Sequence, residues 1–120
     1  MATSDELATF VASSFRSVWA LELLFLLRAQ QRPCATEDLV TLLRASRQVV
    51  QTALQSLIAA GLAGTDGTTS SYMPISKEVD ALVEETERLY RSHPDRVRRL
   101  IIASTHKGLT AFSDAFRLKD

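Results

Sequence analysis

The chain has 120 residues, 46% of them hydrophobic and 23% charged, with fourteen basic residues balancing fourteen acidic ones. Such a composition excludes a disordered or collagen-like chain, and the length suits one domain with its own core rather than two. A formal net charge of zero means that any attraction to nucleic acid must come from local charge asymmetry rather than from a global field.

The N-terminus, MATSDELATF, carries Asp5 and Glu6 where a signal peptide would carry Lys or Arg. Ser4 is placed to cap a first short helix ahead of those two acids, running to about Ser14. Ser17 is the next expected cap, followed by a helix over 18–30, VWALELLFLLRAQ, apolar around nearly its whole circumference. That pattern reads as a central buried post. Its apolar run is about half a membrane span and is interrupted by Glu22, so no membrane association and a cytoplasmic location are expected.

Pro33 ends that helix. Cys34, the single cysteine, excludes an internal disulfide and reads as a small packing residue. Thr36 then caps a helix over 37–44 with Glu37 and Asp38 in its first turn, and Leu39, Leu42 and Leu43 form its expected buried stripe. Ala45 and Ser46 make a turn, Ser46 caps, and a helix over 47–60 follows, closed by Gly61 in a left-handed conformation. The apolar set of this helix is Val49, Val50, Ala53, Leu54, Leu57 and Ile58. Its opposite face presents Arg47, Gln48, Gln51, Thr52, Gln55 and Ser56, polar but almost uncharged. A merely solvated helix face would carry more Lys and Glu, whereas Gln, Thr and Arg can hydrogen-bond base edges. Residues 62–75, LAGTDGTTSSYMPI, carry Asp66-Gly67 between short polar-aromatic segments, a hairpin signal.

Helix, turn, Gln-rich helix, AAGLAG and a D-G hairpin together resemble the winged helix-turn-helix transcriptional regulators, most nearly the multiple-antibiotic-resistance (MarR-like) class, over residues 18–75. The resemblance implies a mainly α fold with a short β-hairpin wing and additional N- and C-terminal helices, binding double-stranded DNA. It makes 47–60 the recognition helix in the major groove. Ser46, Arg47, Gln48, Gln51 and Thr52 would then face bases and phosphates, with Gln55 further along the same face. Arg28, Arg32 and Arg44 would contact the DNA backbone. One departure stands out. No basic residue lies between Arg47 and Lys77, and the hairpin carries Asp66, so phosphate neutralisation by the wing is weak.

Residues 76–120 form a helical extension. Ser76 caps a helix through Ser92 with a stripe of Val79, Leu82, Val83, Thr86, Leu89 and Tyr90. A Ser92–Asp95 capping box with Pro94 in the first turn starts another helix, and Leu109, Phe112, Ala115 and Phe116 mark a final segment. In regulators of this kind such helices build dimer interfaces. A homodimer is therefore expected, using the 77–92 stripe, the terminal aromatics and the first helix, against the alternative that the stripe packs on its own chain. The arginines from Arg88 to Arg99 read as a phosphate-contacting edge or as ion pairs with the acidic face of 78–87. No catalytic motif appears, His93 and His106 have no Cys close in sequence, and neither a cofactor nor a metal is expected. Two other readings stay open: a winged-helix module binding a protein partner without DNA, and a small-molecule sensor with a pocket around Trp19, Phe25 and Tyr72.

Overall fold

The computed structural model describes residues 2–104. The expected final segment of Leu109, Phe112, Ala115 and Phe116, with His106, lies outside the described residues. In chain order the elements are α1 (Ser4–Ser14), α2 (Val18–Gln30), β1 (Cys34–Ala35), α3 (Thr36–Leu43), α4 (Arg47–Ala59), β2 (Ala63–Thr65), β3 (Thr69–Tyr72) and α5 (Lys77–Ser92). A sixth helix, α6, covers residues 94–104.

α2 is the post of the fold. Ala20, Leu21, Leu23, Leu24 and Leu27 are all fully buried, consistent with an apolar pattern that leaves few outward positions. Val11 from α1, Phe15 just beyond it, Leu39 from α3, Val50 and Leu57 from α4, Val83 from α5 and Val97 and Ile101 from α6 join one continuous core around it. Among the described residues no single helix is long and apolar enough to cross a membrane.

The helix starts follow from their hydroxyls. The side chains of Ser17, Ser46 and Ser76 each accept the backbone N–H three residues on, from Ala20, Val49 and Val79, at 3.1 Å. At α1 the cap is Thr3 rather than Ser4, its Oγ1 accepting from Glu6 at 3.1 Å. At α3 the expected cap by Thr36 does not form. Thr36 is already helical and Ala35 stands in the capping position without a side-chain bond, because residues 34–35 are drawn into a β-ladder. The capping box at Ser92 is also absent. Ser92 closes α5, its hydroxyl donating back to the carbonyls of Arg88 and Leu89, while His93 accepts the first backbone bonds of α6. Pro94 does occupy the first helical position, where its missing N–H is not needed.

α4 ends in a Schellman motif: Leu62 N–H donates to the Leu57 carbonyl at 3.0 Å and Gly61 N–H to Ile58 at 3.1 Å. Gly61 has φ +76°, and a Cβ there would meet Ile75 Cγ2 at 2.6 Å. The chain then enters an antiparallel sheet of order β1-β3-β2. β3 is central, pairing Ser70 with Cys34 on one side and Tyr72 with Ala63 on the other. Leu42, expected in the stripe of α3, is instead 50% exposed, while Leu39 is buried and Leu43 half-buried.

Candidate nucleic-acid interface

α3, the turn through Arg44–Ser46, and α4 form a helix-turn-helix unit seated on α2, and the β2–β3 hairpin stands beside it as a wing. α4 is divided sharply by exposure. Val50, Ala53, Leu54 and Leu57 are buried, and Arg47, Gln48, Gln51, Thr52 and Gln55 are all exposed, so the polar face read from the sequence is the outward face. Ser56, on the margin, is half-buried and donates back to the Ala53 carbonyl at 2.7 Å.

Along that face the side chains differ in their engagement. Gln48 Nε2 donates to Thr52 Oγ1 at 3.3 Å, one turn along. Arg47 forms an ion pair with Glu37 of α3, both side chains well exposed. Ser46 is exposed, its hydroxyl spent on capping, and α4 presents its N-terminal N–H groups and positive dipole end outward. Arg44, also exposed, sits at the C-cap of α3 with φ +57°, its N–H closing on the Val40 carbonyl at 3.0 Å. A non-glycine residue in that conformation costs about 1–2 kcal/mol.

In the wing, the hairpin turn is centred on Gly67–Thr68, one residue later than the Asp-Gly pair suggests. Asp66 N–H donates to the Thr69 carbonyl at 3.1 Å, and Gly67 takes φ +99°. The Asp66 carboxylate accepts from the backbone N–H groups of Thr69 and Thr68, at 2.7 and 2.9 Å, and from both of their hydroxyls, at 3.0 Å. These bonds hold its pKa well below the ordinary carboxylate value, led by the Thr69 and Thr68 backbone donors. The acid of the wing is therefore a structural cap on its own loop. The residues around it, Thr65, Gly67 and Thr68, are exposed and uncharged.

Of the three expected backbone-contact arginines, Arg28 is committed elsewhere. It pairs with Glu87 of α5 at 3.0 Å and lies over the Tyr72 ring at 5.9 Å. Arg32 is exposed. The arginines following Arg88 are mostly paired locally: Arg88 with Glu84 at 3.1 Å, Arg91 with Glu87 and Arg98 with Asp95, both at 3.4 Å. Val83 and Thr86, from the stripe assigned to a dimer, are buried in the chain's own core. The expected sensor residues are distributed over the fold. Trp19 is 42% exposed, Phe25 packs on Tyr90 with centroids 5.8 Å apart, and Tyr72 lines a cleft with Arg28 and Asp80. Among the described residues no group of three His, Cys, Asp or Glu side chains could hold a metal ion.

Sequence reasoning missed Glu37 as part of this surface. It reads as a first-turn acid suited to the helix dipole, and only the crossing of α3 on α4 brings it to Arg47. The signal available was its position at the start of the helix that supports α4.

Among the described residues, six helices and a three-stranded antiparallel sheet in this arrangement define a winged helix-turn-helix fold. No protein-family model matches the chain, and no curated protein matches it. Among solved structures it is similar to a homodimeric winged helix-turn-helix DNA-binding domain from Mycobacterium bovis, solved by solution NMR and described as a possible ArsR-family transcriptional regulator. The TM-score is 0.53 and the identity 23%, over 78% of this chain and 92% of that one. At that identity the likeness speaks for the fold. The family named is ArsR, not the MarR-like class that the sequence pattern resembles.

Proposed function

We propose that the chain is a sequence-specific, duplex-DNA-binding transcriptional regulator that lays α4 in the major groove. The observation that carries this reading is the outward face of α4. Gln48, Gln51, Thr52 and Gln55 are exposed and uncharged, on the second helix of the helix-turn-helix, which leads into the wing. Gln51 and Gln55 suit base-edge hydrogen bonding, and Arg47 suits guanine or a phosphate. Ser46, at the α4 N-terminus, and Arg44 suit phosphates. The strained backbone of Arg44, where glycine would be more comfortable, supports a use for its side chain.

The M. bovis neighbour is described as DNA-binding and homodimeric. A homodimer of this chain, placing two α4 helices on two half-sites, would compensate for the weak charge of each wing through effective concentration. The pattern of residues 18–75 supports a MarR-like membership and the neighbour's description an ArsR-like one; DNA binding is common to both readings.

The test is fluorescence-polarisation binding to a randomised duplex pool at two salt concentrations, with light scattering to give twice the chain mass. Affinity is expected to fall with salt, and Arg47→Ala and Gln51→Ala to weaken binding to a selected duplex by about 1–3 kcal/mol each. A folded protein with no duplex affinity at either salt would favour the protein-partner module, which the Arg47–Glu37 pair and a wing that carries Asp66 and no basic residue also suit.

A further inference from the structure

A cleft of 590 Å3 opens between the C-terminal turn of α2, strand β3 and α5, within the size range of small-molecule sites. Three guanidinium groups line it: Arg28 from α2, Arg32 from the linker after it, and Arg91 from the last turn of α5. Two carboxylates stand among them, and both are already engaged. Asp80 accepts the Tyr72 hydroxyl at 2.6 Å. A single oxygen of Glu87, Oε1, serves both Arg28 at 3.0 Å and Arg91 at 3.4 Å. Arg32 meets no carboxylate among the described residues; its Nη2 reaches the neutral side-chain oxygen of Gln30 at 3.4 Å.

Among the described residues the arrangement leaves one positive charge uncompensated, and none of the three planar forks has a bidentate carboxylate partner. Arg28 and Arg91 each lie in a last helical turn, where a cation suits the terminal carbonyls. That accounts for a cation at each helix end, not for the convergence of both ends, with Arg32, on one cavity. The remaining wall, from Tyr72 and Pro33, offers an aromatic ring and an apolar edge.

We propose that this cleft binds a small organic anion, a metabolite bearing carboxylate or phosphate groups, gripped by Arg32 and Arg91 with its body against Tyr72 and Pro33. No residue of α4 lines the cleft, so failure of this proposal and failure of the α4 reading are distinguishable. Citrate and inorganic phosphate, each titrated into the isotopically labelled full chain at constant ionic strength, test it by NMR. The expected result is saturable shifts centred on the amides of Ser71, Tyr72 and Arg91 for at least one anion. Arg32→Gln and Arg91→Gln should each weaken that binding by about tenfold or more, while Arg96→Gln, outside the cleft, leaves it unchanged. No saturable change with either anion, or equal weakening by Arg96→Gln, would overturn the proposal. So would a cleft that ignores both anions while Arg32→Gln weakens duplex binding, since the arginines would then serve the DNA backbone.

Discussion

Glu37 stands in the first turn of α3 and pairs with Arg47 in the first turn of α4, both side chains open to solvent. An exposed pair of this kind contributes little to stability. Its weight falls instead on recognition, because a carboxylate beside the α4 N-terminus opposes a phosphate and occupies the arginine that would meet it. Glu37→Gln is therefore expected to raise duplex affinity at low salt and to steepen the dependence of log K on log salt by about one unit. Its urea midpoint should stay close to that of the parent. Polarisation titrations across a salt series check both points, and an unchanged slope would mean that Arg47 does not approach a phosphate.

At the scale of elements, the end of α4 sets where the wing begins. Gly61 combines φ +76° with close approach to Ile75, whose N–H donates to the Gly61 carbonyl at 3.0 Å. Gly61→Ala should destabilise the fold by about 1–2 kcal/mol, the cost of a left-handed alanine, seen as a lower urea midpoint with an unchanged m-value. This glycine was legible in the sequence, as were the caps Ser17, Ser46 and Ser76, because each signal is local: a hydroxyl or a glycine at the edge of a periodic apolar run. The misplaced features share the opposite property. Thr36 has every local mark of a cap, yet the pairing of Cys34 and Ala35 with β3 takes over the residues in front of it. Ser92 likewise resembles the start of a box, but its hydroxyl finds the carbonyls of α5 already in place behind it. Leu42 fits the spacing of a buried stripe on a helix too short to bury all of one.

Over the whole molecule, α5 is latched to its neighbours by tyrosines that donate to carboxylates, and α6 to α5 by an arginine that donates to one of those tyrosines. Tyr72 bonds Asp80, and Tyr90 of α5 bonds Glu22 of α2 at 3.0 Å, with Arg98 of α6 donating to the same hydroxyl at 3.1 Å. Burial, and then the neighbouring acid, push both phenols above their usual value of 10.0. A phenol that holds its proton more tightly folded than unfolded contributes stability that is complete below pH 10 and drains away as the pH rises beyond it. Urea midpoints measured from about pH 9 to 12 should fall, and the Tyr72→Phe, Tyr90→Phe double variant should flatten that fall while being less stable at neutral pH. None of these long-range pairings was visible in the sequence. The outward face of α4 was, because helical periodicity alone separates it from the core. The Glu37 contact and the arginine cleft were not, since both depend on where separate elements meet.

The placement of β3 in the middle of the sheet gives the wing a mechanical character. A two-stranded hairpin would swing freely about its base, but here the inner strand is stitched to Cys34 and Ala35, and those two residues run without a break into α3. Ladder hydrogen bonds tolerate little stretching. A tilt of the wing tip must therefore either tear that ladder or carry the start of α3 with it, and Glu37 rides on that first turn. The wing is a lever whose short arm ends beside the first residue of α4.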